Sequence, residues 1–256
     1  MIRLKMQENA AQHFIKRAKK YNSSSSWVGD TVLIGKIRDL ADYGPQAYIL
    51  DIAIGTGKIA QAFRGDVKCV VGVDICTEMV RQAKECADKI VLTLAENLPF
   101  QNNTFDTCVC RQGLQFMQLD AVLSEIRRIL KPGGLVVLCH LAAYGKEDKD
   151  ETFLIQKLRN PARKNFFLPE DVPNLLKKKA FTKIELFEYI TRESVSQWID
   201  NGAIDENAQE KIREAYRKSS HAFKKIHNIQ FKNGDILDSM KMVIVRASKG
   251  SGRWID

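Results

Sequence analysis

The chain has 256 residues, 45% of them hydrophobic and 28% charged, with a net charge of +9. That is the size of one ordinary domain, or one domain with a lid, and it has enough apolar content to bury a core. The longest apolar run, Leu135 to Ala143, is broken by His140 and is far shorter than the roughly 20 residues of a membrane helix. Six Lys/Arg interrupt the first 20 residues, so neither a membrane span nor a secretory signal is expected.

The charge is uneven. Residues 1–20 sum to +5, residues 21–150 to −2 and residues 151–256 to +6. A basic excess on both flanks steers an anionic substrate or a nucleic acid, or else simply keeps the surface soluble. The six cysteines (69, 76, 86, 108, 110 and 139) form no C-x-x-C pair and sit beside apolar neighbours. They read as reduced, buried thiols of a cytoplasmic protein.

Along the chain, Ala10, Ala11, Phe14, Ile15 and Ala18 recur at spacings of three and four, which predicts a basic amphipathic helix. The serines at 23–26 would end it and cap a second helix starting near Trp27. Residues 47–54 read as a strand closed by Gly55-Thr56-Gly57, with a helix from Lys58 to Phe63. Cys69–Asp74 is a second strand, followed by a helix from Thr77 to about Lys89. Ile90–Leu94 and Asp106–Cys110 are strands three and four. A helix over Ala121–Leu130 and a strand over Leu135–Leu141 complete the pattern. Apolar strands alternating with helices predict a parallel sheet covered on both faces, an open doubly wound α/β fold.

The later part changes character. Pro169–Lys179 reads as a helix, Lys183–Ile190 as a strand, Glu193–His227 as mostly helical, and Met240–Val245 as a closing strand. A helical insert between two late strands is either a lid over a site or a layer packed on the sheet edge.

The strongest local signal is Ile49-Leu50-Asp51-Ile52-Ala53-Ile54-Gly55-Thr56-Gly57. Its glycines allow a sharp turn and close ligand approach ahead of a helix N-terminus. A P-loop fails because Ile52 and Ile59 stand where Gly and Ser/Thr are required. A dinucleotide turn fits G-x-G-x-x-A from Gly55 to Ala60. Asp51 at the strand end would repel a pyrophosphate, however, and instead suits a cationic group such as the α-ammonium of a methionine moiety. That favours S-adenosylmethionine. Asp74, at the tip of the second strand, can accept hydrogen bonds from ribose hydroxyls of either kind of cofactor. Ile75 and Met79 follow it, available to an adenine face or, for Met79, to ordinary helix packing.

Four segments, ILDIAIGTG, VVGVDICTEMV, AENLPFQNNTFDTCVCRQGLQFM and EIRRILKPGG, resemble the ordered motifs of class I S-adenosylmethionine-dependent methyltransferases. The subgroup most similar in appearance contains the ubiquinone/menaquinone-biosynthesis C-methyltransferases, which act on small molecules. The resemblance covers roughly residues 45–140. It implies a mostly parallel seven-stranded sheet, with residues 1–45 a helical cover, 46–143 the cofactor-binding core and 144–256 late strands carrying a helical substrate lid at about 192–230. It further implies that Asp51, Ala53, Gly55, Thr56 and Gly57 surround the methionine part of the cofactor. By the same token Asp74, Ile75 and Met79 hold the ribose and adenine, Ala95, Glu96 and Asn97 lie at the adenine edge, and Arg111 and Gln112 line the methyl-transfer side. Leu94 stands where many relatives have Asp.

Methyl transfer depends chiefly on orientation, and a base is needed only when the acceptor must lose a proton. The candidates are Tyr21, which would close over the cofactor, His140 at the end of the fifth strand, and Tyr144. No metal site is expected, since His221 and His227 are six residues apart and have no Cys or His at ligand spacing. The expected activity is methylation of a small-molecule acceptor, releasing S-adenosylhomocysteine, by a monomer or homodimer. RNA methylation using the basic flanks, and a cofactor-binding module without catalysis, are the alternatives.

Overall fold

The computed structural model describes residues 2–250, with side chains from residue 10 onward. Its sheet is built from β1 (Tyr48–Ile52), β2 (Cys69–Asp74), β3 (Lys89–Leu92), β4 (Phe105–Arg111), β5 (Leu130–Leu141), β6 (Phe181–Ser194), β7 (Gln230–Lys232) and β8 (Asp235–Lys249). The strand order is β3-β2-β1-β4-β5-β8-β6. Pairings from β3 to β5 are parallel, and β8 runs antiparallel to both β5 and β6. β1 has β2 on one side and β4 on the other, so the connections leave in opposite directions at its carboxyl end. In open α/β sheets that switch point is where a crevice for ligands opens.

The seven-strand path matches expectation, and β7 adds a short eighth strand hydrogen-bonded to β8. Its signal is local. Asn233 and Gly234 take positive φ (52° and 78°) and join β7 to β8 as a tight two-residue hairpin. β6 and β8 are longer than their apolar segments predict, because the two strands pair along most of their length and satisfy each other's backbone.

The helices are α1 (Ile2–Arg17), α2 (Thr31–Leu40), α3 (Lys58–Phe63), α4 (Thr77–Gln82), α5 (Leu119–Ile129), α6 (Lys149–Arg159), α7 (Asp171–Lys178), α8 (Val195–Ile199), α9 (Glu206–Lys218) and α10 (His221–Ile226). They cover both faces of the sheet, which explains the near-continuous apolar strands. One core gathers Ile49, Val109, Leu33, Ile37 and Phe63. The other gathers Leu50, Ile52 and Cys108 with Val122, Leu123, Ile126 and Ile129 of α5. The alternation of Ile49 and Leu50 between the two cores is the period-two geometry of a strand. Each such side chain contributes about 1.5–3 kcal/mol on burial.

Three boundaries differ from the sequence reading. The helix expected at Trp27 is only a 3-10 turn, Ser26–Val28, and Ser25 caps nothing with its side chain. Ser26 is instead engaged by Glu193, and α2 begins at Thr31, capped by Asp30, which accepts the N–H groups of Val32 and Leu33. The helix after β2 stops at Gln82 rather than near Lys89. The chain then turns so that Ala83 and Cys86 pack under Gly57. α6 was not anticipated, its apolar positions being too sparse to show a period.

The insert between β6 and β8 consists of α8, α9, α10 and β7. It is packed rather than loose, with Trp198, Ile212, Tyr216 and Phe223 buried against the core. A polar clamp fastens it. Buried His227 meets Asp148 through Nε2 (3.0 Å) and Asp238 through Nδ1 (2.9 Å), while the Tyr216 hydroxyl donates to Asp238 (2.7 Å). Burial opposes protonation of His227, but the two carboxylates together outweigh it and raise the imidazole from 6.5 to about 9. A raised folded-state value means that this stabilisation is complete below about pH 6.5 and is lost as pH rises through about 9. Thermal denaturation should therefore give a melting temperature that falls between pH 7 and 9.5. A His227→Gln chain, destabilised by about 3–5 kcal/mol through its stranded carboxylates, should lose that slope. An unchanged slope would refute the clamp.

Candidate functional site

The turn after β1 organises the site. Ala53 (φ 57°), Gly55 (56°) and Gly57 (84°) all take left-handed backbone. For Ala53 this is strain of the kind that gathers at functional sites. At the end of β4, Gln112 (φ 59°) does the same, and a β-carbon added to Gly113 would stand 2.9 Å from that of Ala53. The two strand ends therefore touch through small residues. Gly57 has no room for a side chain, since a β-carbon there would lie 2.4 Å from that of Cys86.

Two carboxylates lock the turn. Asp74 accepts the Gly55 N–H (2.9 Å) and the Cys76 N–H (2.9 Å), and burial raises its pKa. Asp51 is 2% exposed and accepts the Ala60 N–H (3.0 Å) in the first turn of α3. Burial lifts Asp51 to about 7, against the pull of Arg111 and of the Ala60 hydrogen bond. Arg111 in turn donates to the carbonyls of Trp27 (2.7 Å) and Val28 (3.2 Å), tying the 3-10 turn to the sheet.

Beside this turn lies a narrow cleft, about 720 Å³ when the space open to solvent is included. Its floor is Ala53, Gly55 and Asp74, and one wall is Ile75, Met79, Leu94 and Ala95. Glu96, Arg111, Gln112, Phe116 and Met117 form the opposite side. The N-terminal segment roofs it with Ala10, Phe14 and Tyr21, and the Tyr21 ring lies 3.7 Å from a β-carbon built on Gly55. Three contacts hold the roof: Thr56 Oγ1 donates to Asn22 (2.6 Å), Gln82 Nε2 donates to the Ala18 carbonyl (2.9 Å), and Phe14 packs edge-on against Phe116 (5.0 Å).

Residues 50–138 match the family described as methyltransferase domain. A demethylmenaquinone methyltransferase of Streptomyces avermitilis is 32% identical over 144 residues, 54% of this chain and 62% of that protein. An uncharacterized protein of Methanocaldococcus jannaschii is 29% identical over 190 residues, 70% of this chain and 86% of its own length. The YcgJ protein of a Bacillus, known from its crystal structure, superposes with a TM-score of 0.79 over 86% of this chain and 98% of its own, at 21% identity. Residues 50–138 thus carry the methyltransferase-domain match, and the sheet around them has the fold of that solved structure. A phosphoethanolamine N-methyltransferase of Haemonchus contortus, which superposes with a TM-score of 0.59 over 87% of this chain and 53% of its own at 19% identity, is solved with S-adenosylhomocysteine. The chain spans less than two thirds of the demethylmenaquinone methyltransferase.

The cleft brings together nine of the thirteen residues expected around the cofactor: Ala53, Gly55, Asp74, Ile75, Met79, Ala95, Glu96, Arg111 and Gln112. Asp51, Thr56, Gly57 and Asn97 stand outside the lining; the first three belong to β1 and the turn after it, whereas Asn97 closes a separate turn through its N–H to the Leu94 carbonyl. Tyr21 is at the cleft. His140 is not. It is fully buried against Phe167, and burial, reinforced by Arg163, lowers it to about 3, which removes it as a base near neutral pH. Tyr144 is likewise spent, its hydroxyl donating to the Ser239 carbonyl (2.8 Å) and its pKa raised by burial to about 12.

The cleft's chemistry fits S-adenosylmethionine. Carboxylates stand at and under its floor, and the guanidinium of Arg111 is turned to backbone carbonyls. A diphosphate would be repelled by Asp74, which already occupies the Gly55 N–H, whereas a sulfonium with an α-ammonium would be attracted. Sequence reasoning missed Ala10, Phe14, Phe116 and Met117. The first two were visible as one face of an amphipathic helix in the expected cover, but spacing alone did not say which of its side chains reach the cleft.

Gly57 gives a direct test of the turn. Gly57→Ala combines a left-handed β-carbon with overpacking against Cys86, at a cost of about 2–4 kcal/mol. Chemical denaturation should show that loss together with loss of cofactor binding, whereas Gly65→Ala, a left-handed glycine with open space around it, should cost only about 1–2 kcal/mol and keep binding.

Proposed function

We propose that the protein methylates a small-molecule acceptor, with Asp74 holding the ribose hydroxyls of S-adenosylmethionine and Ile75, Met79, Leu94 and Ala95 flanking the adenine. The observation that carries this reading is the narrow cleft at the β1/β4 switch point, floored by Asp74 and roofed by Phe14 and Tyr21. A roofed, narrow cleft favours a compact acceptor over a polymer. When bound, the cofactor supplies an electrophilic methyl group on a cationic sulfur. The protein's part is orientation and exclusion of water. Gly55 lets the chain approach the methionine part, and Asp51 supplies negative charge behind it. Ala53 and Gln112 set the strand ends that define the transfer side, and Tyr21 covers that side with its hydroxyl-bearing ring. The free state of all six cysteines, four of them buried, supports a reducing cytoplasmic setting, and no helix among the described residues is long and apolar enough to cross a membrane.

The deciding experiment is incubation with methyl-labelled S-adenosylmethionine and a metabolite extract, followed by mass identification of the labelled product. A labelled small molecule is expected; label appearing only in RNA would overturn the reading. Asp74→Ala should weaken S-adenosylhomocysteine binding by about 10–100-fold in calorimetry, the equivalent of one or two hydrogen bonds to a charged group. Asp51 adds a pH signature. Because its folded value is about 7 and a nearby ammonium favours the ionised form, cofactor binding should release a proton at neutral pH. Affinity should thus fall as pH drops from 8 to 6, and Asp51→Asn should abolish the dependence.

A further inference from the structure

A second, tighter cavity, about 450 Å³ when the space open to solvent is included, adjoins the cofactor cleft and shares Phe14, Tyr21, Gln112 and Phe116 with it. Three arginines converge there from separate elements: Arg17 at the end of α1, Arg159 at the end of α6, and Arg163 in the loop that follows. They are 4%, 6% and 5% exposed. None makes an ion pair among the described residues, whose salt bridges all lie elsewhere. Glu193, the carboxylate that acts on Arg159 from a distance, is held by Ser26 and Thr191.

Arginine does not escape by losing its proton, and three buried, unpaired guanidinium groups repel one another. Burial lowers all three, Arg163 to about 9, and Arg17 adds repulsion at Arg159. The protein only partly compensates. Arg159 is fixed by the Trp198 carbonyl (2.9 Å), by Ser25 Oγ (3.1 Å) and by the Trp198 ring, 4.4 Å away. Arg17 lies over the rings of Phe14 and Tyr21, and Arg163 reaches the Asn165 carbonyl (3.0 Å). Arg17 Nε, Arg163 Nη2 and Trp198 Nε1 remain buried donors without any partner in the protein. These three are donors whatever the orientation of neighbouring amides. Buried donors are rarely left unpaired, so a donor-rich, cationic pocket calls for an oxyanion.

We propose that this pocket is the acceptor site and that the methyl acceptor is a small organic anion whose phosphate or carboxylate group is gripped by Arg17, Arg159 and Arg163. The inference rests on the first cavity being the cofactor site. Tyr21 forms the wall common to both, so an acceptor anchored on the arginines extends toward the transferred methyl group past that ring. The proposal refines the meaning of the basic flanks. Arg17 comes from one and Arg159 and Arg163 from the other, and all three are too deeply buried to meet the backbone of a nucleic acid.

The test uses the full chain saturated with S-adenosylhomocysteine, whose binding is measured first and so separately establishes or refutes the cofactor reading. Inorganic phosphate, succinate and acetate are then titrated calorimetrically. At least one dianion is expected to bind saturably, tenfold or more tighter than acetate. Tighter phosphate points to a phosphate ester, and tighter succinate to a dicarboxylate. Arg163→Gln and Arg17→Gln should each weaken that dianion tenfold or more and leave S-adenosylhomocysteine affinity within threefold, and Arg163→Lys should recover part of the loss. The labelled product of the extract experiment should be retained on an anion exchanger. A cofactor-loaded protein that binds no dianion would overturn the proposal, as would dianion affinity untouched by either arginine variant or a neutral labelled product. RNA binding that depends on these arginines would also overturn it.

Discussion

The hydrogen bond from the Gly55 N–H to Asp74 joins the turn after the first strand to the tip of the second, and the shape of the cleft depends on it. A carboxylate in that position removes the free N–H that a phosphate would need and leaves an acidic floor. The turn that brings Gly55 to Asp74 holds three left-handed residues, Ala53, Gly55 and Gly57, a conformation that small side chains tolerate best. The turn is therefore packed from below by Cys86 and from the side by Gly113. Overpacking it anywhere moves the carboxylates and the strand ends together.

The two cavities have opposite electrostatic character although they share a wall. One has buried acid at and beneath its floor, and the other carries three buried guanidinium groups. Such a division suits a reaction between a cationic donor and an anionic partner, since each ligand is attracted by one half and repelled by the other. Tyr21 and Phe14 stand at the boundary, both on the N-terminal segment that is tied down through Asn22 and Ala18. The cover thus borders both cavities, and α6 and α8 complete the second one from the far side.

The late helical insert has two functions that the chain kept ambiguous. Trp198 of α8 reaches the second cavity, whereas α9 and α10 behave as a packed layer pinned by His227 between two aspartates. Burial alone would have left that histidine neutral; the paired carboxylates reverse the outcome. His140 shows the opposite case. With no carboxylate beside it and Arg163 nearby, burial wins and the ring remains an uncharged core residue.

What was readable from residue order was whatever depends on local spacing: apolar strands alternating with helices, glycines at a turn, and an acid at the tip of each of the first two strands. Asp74 and Gly55 could be placed in that way, and so could the helix from Lys58 to Phe63. Residue order could not reveal whether an acid at a strand tip faces a ligand or the backbone beneath it. Asp51 and Asp74 look alike in the chain, yet only Asp74 lines the cleft. Nor could it bring Arg17, Arg159 and Arg163 together, because their proximity arises from closing the N-terminal segment over the sheet next to α6, where Arg159 meets Ser24 and Ser25 across 135 and 134 residues of chain. Charge summed along a segment does not say which side chains lose their water, and only packing in three dimensions decides that.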